Sequence, residues 1–241
     1  MPIKNKLKYA IEFILDILFP KFCLNCKREG EFICQDCLSL VEILNRRYCP
    51  FCAKPKIVLD GKTCDACKNR RKLTGLYCAS SYDNFIVRKI ISRFKYKPYL
   101  KELSKPLSYL IIAHLGTFGS LEKFKDFIII PVPLHTKKIK MRGFNPAEEI
   151  GKETGKTLGI PVFNNVLIKT KSTPAQVELK KEKREENVKD VFACQNRKLI
   201  ENRKILLIDD VFTTGSTMEE CAMVLKESGA REVWGIVAAR G

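Results

Sequence analysis

Apolar and polar positions divide this chain into three zones. Residues 23–67 are polar and rich in cysteine, with no hydrophobic period long enough to build a core. Residues 75–113 turn apolar and basic, predicting a strand at 76–82 followed by a helix. Strand and helix signals alternate from there. A buried-type strand at 127–132 precedes a loop at 133–143 and a helix at 146–158 closed by Gly159. A strand at 204–208, a helix at 217–228 closed by Gly229 and a strand at 232–238 complete the series. Strands alternating with helices of this length predict a parallel α/β sheet with crossover helices. Residues 169–190 carry neither period and are dense in both signs of charge, which reads as a mobile loop with a function or a disordered insertion.

The first residues form a separate pattern. On a helix, Leu7, Ile11, Ile14, Leu15 and Leu18 share one face, while Lys4, Lys8, Glu12 and Asp16 share the other. Residues 1–20 therefore predict an amphipathic helix, too short and too charged to span a bilayer. Docking on the body of the protein is the favoured use, and contact with a membrane surface the lesser one. Lysines precede the apolar stretch, but Glu12 and Asp16 interrupt it and no small-residue cleavage site follows, so a cytoplasmic protein is expected.

Length and charge sharpen this outline. The 241 residues suit one α/β domain with an appendage, and a 45% apolar content allows a sizeable core. Against 27 acidic residues stand 44 basic ones, giving +17, an excess that concentrates anions such as nucleic acid, acidic lipid or polyphosphate.

The cysteines have a definite chemistry. Eight of the eleven fall in C-x-x-C pairs: Cys23/Cys26, Cys34/Cys37, Cys49/Cys52 and Cys64/Cys67. Each pair lets two thiolates on one tight turn reach the same metal, and two pairs complete a tetrahedral Zn²⁺ shell. Four pairs predict two structural zinc sites without an open position for water. Seven residues separate the first two pairs and eleven the last two, so sequential pairing closes two small ribbons; interleaved pairing remains an alternative. The metal supplies folding energy to a segment without a core of its own. Lys27, Arg28, Arg46, Arg47, Lys54 and Lys56 offer this ribbon surface charge for a nucleic-acid or protein contact. Cys78, Cys194 and Cys221 stand apart and read as small buried hydrophobes.

Residues 205–217, ILLIDDVFTTGST, hold the strongest chemical signal. An apolar strand ends in Asp209 and Asp210, and Thr213, Thr214, Gly215, Ser216 and Thr217 lead into a helix. Gly215 lets the backbone curl so that N–H groups converge, and the helix start adds more donors and its positive dipole end. Such a loop suits a phosphate monoester. The two carboxylates, expected to be exposed at the strand end, suit vicinal hydroxyls. Together they describe a ribose 5-phosphate holder at the C-terminal edge of a parallel sheet.

This stretch resembles the 5-phosphoribosyl 1-pyrophosphate (PRPP) signature of type I phosphoribosyltransferases. The resemblance implies that Asp209 and Asp210 hold ribose hydroxyls, that residues 213–217 hold the 5-phosphate, and that Mg²⁺ arrives with the ligand. The loop after strand 127–132 carries Lys137, Lys138, Lys140 and Arg142 with no acidic neighbour, which suits a pyrophosphate. His135 there is a ligand contact or a structural group. The order of cysteine pairs, then IPVPLHTKKIKMRGFN at 130–145, then the Asp-Asp loop is similar to the ComF family of competence proteins. Thr173, Pro174, Ala175 and Gln176, and the later Arg184, Asn187, Val188 and Phe192, agree with that family's pattern. Pro146 departs from it, standing where many relatives have Gln, so the role of that amide is not carried over.

The expected architecture is a small double zinc ribbon (21–72) preceding a parallel-sheet, type I phosphoribosyltransferase-like domain (73–241) with a mobile loop at 169–190. The family resemblance implies PRPP binding and cytoplasmic handling of single-stranded DNA during natural transformation, with other competence proteins as partners. The alternative is an active transferase moving ribose 5-phosphate to an unknown acceptor, with Asp209, Asp210, Lys137 and Arg142 in catalysis and Lys138 on the ligand. Phe94, Tyr96 and Tyr99 lie among Arg93, Lys95 and Lys97, and core packing is expected for at least one of these rings.

Overall fold

The computed structural model describes residues 18–45, 47–52, 54–171 and 190–241. Most of the N-terminal amphipathic segment (1–17), Arg46 and residues 172–189 of the charged loop lie outside them.

Two short helices, α1 (Gln35–Ser39) and α2 (Asp65–Lys68), belong to the cysteine-rich segment. Then come β1 (Gly75–Ser81), α3 (Phe85–Lys95), α4 (Ser104–Thr117), β2 (Phe127–Pro131), α5 (Thr136–Arg142) and α6 (Pro146–Leu158). The strands β3 (Leu167–Lys169) and β4 (Phe192–Cys194) form an antiparallel pair, and β5 (Lys204–Phe212), α7 (Ser216–Glu227) and β6 (Glu232–Arg240) end the chain. The main sheet is all-parallel with the order β1-β6-β5-β2. Period-2 alternation assigns each strand residue a face. Leu206 and Ile208 of β5 join the apolar layer of α3, α4 and α6, while Ile205 and Leu207 meet Met218, Cys221, Ala222 and Leu225 of α7. Each fully buried aliphatic side chain contributes about 1.5–3 kcal/mol of transfer free energy.

Helix boundaries follow local chemistry. The Asn84 side chain accepts the N–H groups of Ile86 and Val87 at the start of α3. At α6, Asn145 caps, Pro146 occupies the first turn and Gly159 ends the helix in the left-handed region. Two elements differ from the sequence pattern. Residues 136–142, read as loop, wind into α5 because His135 accepts the Lys137 N–H and Gly143 (φ 87°) terminates the turn. Strand β5 continues through Phe212, paired with Arg240, so Asp209 and Asp210 lie within the strand rather than at its end. The pair β3–β4 is three residues a side, too short for a period to show.

The cysteine-rich segment wraps the β1 edge. Cys23, Ile33, Cys37, Leu38 and Val41 share one continuous apolar cluster with Tyr77, Ala79 and Trp234. On the other face of the sheet, Phe51 packs against the cluster that contains Leu73 and Phe212. The Leu44 N–H donates to Ala79 O (2.9 Å), and Lys62 bridges Gly75, which covers the outer edge of β1. Gly75 is required there, since a Cβ would stand 2.4 Å from the Trp234 ring and 2.5 Å from Gly61 O. Asp60 fastens the contact, accepting from Tyr77 Oη (2.6 Å), Arg47 (2.9 Å) and Lys123 (2.6 Å). Burial opposes its charge, yet the hydrogen bonds from Lys123 and Tyr77 hold the carboxyl below its usual range. No helix among the described residues is long and apolar enough to cross a membrane.

Candidate zinc centres and phosphate pocket

The cysteines gather sequentially. Cys23, Cys26, Cys34 and Cys37 form one cluster and Cys49, Cys52, Cys64 and Cys67 the other, with the Sγ atoms of each within 4.8 Å of one another. This settles the choice between sequential and interleaved pairing. Zn–S bonds of about 2.3 Å in a tetrahedron place sulfurs about 3.8 Å apart. Cys26 and Cys34 are 3.6 Å apart, Cys52 and Cys64 3.5 Å, and Cys52 and Cys67 3.8 Å. Both donor sets therefore fit a structural zinc ion. Of the remaining cysteines, Cys221 is buried as expected, whereas Cys78 and Cys194 are only partly covered.

The second centre of chemistry lies where β5 leads into α7. Gly215 adopts φ 82° immediately before α7, and the Thr214 and Ser216 hydroxyls stand 2.6 Å apart across it. Thr213 is exposed, Thr214 and Thr217 are half-buried and Ser216 is buried. The first turn of α7 turns its positive dipole end toward this loop, as helix starts do, and the Ser216 N–H donates to Thr214 Oγ1 (3.4 Å). Because β2 and β5 are neighbours, the segment carrying α5 emerges beside the loop at the same sheet edge.

Asp210 departs from the expectation of exposed carboxylates. It is 4% exposed, and its Oδ1 meets Lys95 Nζ, the last residue of α3, at 2.8 Å. A carboxylate inside a strand beneath α3 cannot stay in water, and the ion pair compensates its charge. Asp209 Oδ1 accepts the Asp210 N–H (2.9 Å). Burial, then the neighbouring Asp210 charge, pushes the Asp209 carboxyl up to about 8, with Lys95 opposing. Lys95 would lose charge through burial, but Asp210 and Asp209 raise it above the usual lysine range.

The predicted cations divide. Arg142, at the end of α5, is partly buried and in the field of Asp210; its Nε is buried without a hydrogen-bond partner among the described residues. Burial holds Lys169 below the usual lysine range, the nearby Lys138 charge adds to this, and Asp209 acts in the opposite sense. Lys137 and Lys140 are exposed on the outer side of α5. His135 caps α5 through Nδ1, at 3.2 Å from Lys137 N. Phe94 is fully buried against Phe144, as expected of one ring in its group. Lys95 and Lys169 are additions to the sequence reading. Both come from elements distant in the chain, and no local spacing marks them.

Among the ribbon cations, Arg47 pairs with Asp60 and stacks 4.1 Å over Phe118, whereas Arg28 pairs with Asp36 at an exposed position.

Comparison with known proteins agrees with this geometry. The Double zinc ribbon domain matches residues 14–79, and the Phosphoribosyl transferase domain matches residues 139–240. Competence protein F of Haemophilus influenzae is 27% identical over 86% of this chain and 97% of its own length. Competence protein ComFC of Bacillus subtilis is 24% identical over 84% of this chain and 81% of its own. A solved purine phosphoribosyltransferase from Pyrococcus horikoshii overlaps 56% of this chain and 83% of its own, at 18% identity and a TM-score of 0.35. Fold and site thus define a double-zinc-ribbon protein with a phosphoribosyltransferase-type domain. Within that class, the chain is similar to competence proteins F and ComFC along most of its length.

Proposed function

We propose that the pocket between β5, α5 and the start of α7 binds PRPP, and that the protein acts in the cytoplasmic handling of single-stranded DNA during natural transformation. The observation that carries the first part is the convergence of Lys95, Lys169 and Arg142 on Asp209 and Asp210, with Lys138 close to Lys169, on the strand that leads into the Gly215 loop. A loop at a helix start supports a 5-phosphate, and the carboxylate pair supports the ribose hydroxyls. The surrounding cations outnumber the carboxylates, which favours the pyrophosphate group. Mg²⁺ would supply charge neutralisation on the bound pyrophosphate; Asp209, not engaged by Lys95, is the carboxylate free to face it. Competence relatives along most of the chain support the second part. The domain boundaries proposed are 21–72 for the ribbon and 73–241 for the sheet domain.

Calorimetric titration of the full chain with PRPP, with and without Mg²⁺, tests the pocket. Saturable binding that ribose 5-phosphate competes for only weakly is expected; absence of binding under both conditions would remove the assignment. Following pyrophosphate release in the same samples, with and without single-stranded DNA, separates a binding protein from a transferase. For the cellular role, the chain should restore DNA uptake to a transformable strain lacking its own ComF-type protein.

A further inference from the structure

A second cavity, of about 870 Å³, opens between the second zinc ribbon and the N-terminal end of the main sheet. Thr74, Glu232 and Trp234 line it from the strand starts, so it lies at the opposite sheet end from the Gly215 loop. Its walls carry Lys56, Lys62, Lys68, Arg71, Lys72 and Lys226 against two carboxylates, Asp65 and Glu232. None of the six cations forms an ion pair among the described residues. Glu232 is already engaged, accepting from Trp234 Nε1 at 3.1 Å. Some cations elsewhere in the fold are paired, as at Arg47, Lys95, Lys123 and Lys152.

The crowding is built in. Glu219 of α7 accepts the backbone N–H groups of Lys72 (2.6 Å) and Leu73 (3.2 Å), fixing that chain segment against the sheet domain. Lys72 consequently stands near Lys226, whose charge is disfavoured chiefly by burial; Glu232 favours it and Lys72, to a smaller extent, opposes it, while the Lys226 Nζ donates to Arg231 O. An anion entering the cavity relieves that repulsion. Beside the cations, Ile57 is 64% and Leu59 90% exposed. Apolar side chains next to a row of cations suit a ligand with phosphates along one side and unstacked bases along the other. A double helix turns its bases inward and offers them nothing.

We infer that this cavity is the seat of a single-stranded polynucleotide, its phosphates on Lys62, Lys68, Lys72 and Lys226 and its bases against Ile57 and Leu59. It deepens the proposed DNA-handling role by giving it a surface separate from the phosphate pocket, and it stands whether or not PRPP binds.

The test is fluorescence anisotropy of labelled oligothymidylate with the zinc-loaded full chain, across a salt series and without PRPP. The variant Lys62→Glu/Lys72→Glu should bind about tenfold or more weakly at low salt. Its log–log salt slope should be shallower by about 1.4, two contacts at about 0.7 each. Lys54→Glu/Lys156→Glu, exposed residues outside the cavity, carries the same net charge and should bind within about twofold of wild type. Leu59→Ser should weaken binding without changing the slope. Zinc content and the unfolding midpoint report that each variant is folded. Equal losses in both charge-reversal variants would reduce the effect to overall charge and overturn the site. The site is equally overturned if wild type fails to bind, or if inorganic tripolyphosphate at matched phosphate displaces the strand completely. Because PRPP is absent throughout, failure of the pocket assignment leaves the readout untouched.

Discussion

Phe51, within the third cysteine pair, stands edge-on to Phe212 at the end of β5, with ring centroids 6.4 Å apart. A Cβ on Gly215 would lie 2.4 Å from Phe212 Cζ and 3.3 Å from Phe51 Cε1. The second zinc ribbon therefore supports the loop assigned to the 5-phosphate. Arg71, 4.6 Å over the outer side of Phe51, completes the stack.

Phe51→Ala should weaken PRPP binding without touching the ligand. Phe51 is only partly buried, so the stability loss should fall below the ~3–5 kcal/mol of a core Phe→Ala change. Calorimetry beside chemical unfolding separates the two effects. Unchanged PRPP affinity in a measurably destabilised variant would show that the loop holds its shape without the ribbon.

Gly215→Ala should abolish ligand binding more completely. Its backbone sits in the left-handed region, costing a non-glycine residue about 1–2 kcal/mol, and the added methyl meets Phe212. Folding should persist because both effects are local. Retained affinity would place the phosphate elsewhere.

The two aspartates should respond in opposite directions. Asp210→Ala leaves Lys95 beneath the fold without its counter-charge, and stability should fall by about 2–3 kcal/mol, reduced from the fully buried case because Lys95 is 27% exposed. Asp209 has a folded-state carboxyl raised to about 8 against an unfolded value near 4. Its contribution is present in full below pH about 4 and is lost as pH rises toward 8. Asp209→Asn removes that loss, so its stability advantage over wild type should grow across this window and level off above it. Urea midpoints at several pH values check the trend; a constant difference would mean the carboxyl titrates normally.

Zinc should be present at two ions per chain, and its loss should reach the sheet domain. Cys23 is fully buried in the cluster that contains Tyr77 and Trp234. Cys23→Ser should therefore lower the midpoint of one common unfolding transition, rather than melting the ribbon ahead of an unaffected α/β core. Two separated transitions in calorimetry would show independent units.

Legibility from sequence follows distance along the chain. The eight cysteines and the residues from Asp209 to Thr217 are local patterns whose spacing carries the geometry: the cysteines gather into two clusters, and residues 209–217 form one strand–loop–helix segment. Strand β5 runs longer than its pattern suggests because two adjacent aspartates interrupt the apolar run, yet pairing with β6 continues to Phe212. Lys95 and Lys169 reach the aspartates from α3 and β3, contacts that no spacing encodes. Charge misleads in the ribbon. Arg47 counts toward +17 like any other cation, but its guanidinium is committed to Asp60 and Phe118.

The strand order has a consequence for synthesis. Among the described residues β1 has β6 as its one neighbour in the main sheet, and β6 follows all the other strands in sequence. Strand β1 must wait for a partner made much later, and the ribbon residues that pack on β1 wait with it. Bound zinc gives this early segment a stable shape while the ribosome is still translating the remainder. Until β6 emerges, β1 exposes the edge later occupied by it, along with Tyr77 and its apolar neighbours. A stalled or truncated product would present that edge to other chains, where strand pairing between molecules competes with folding.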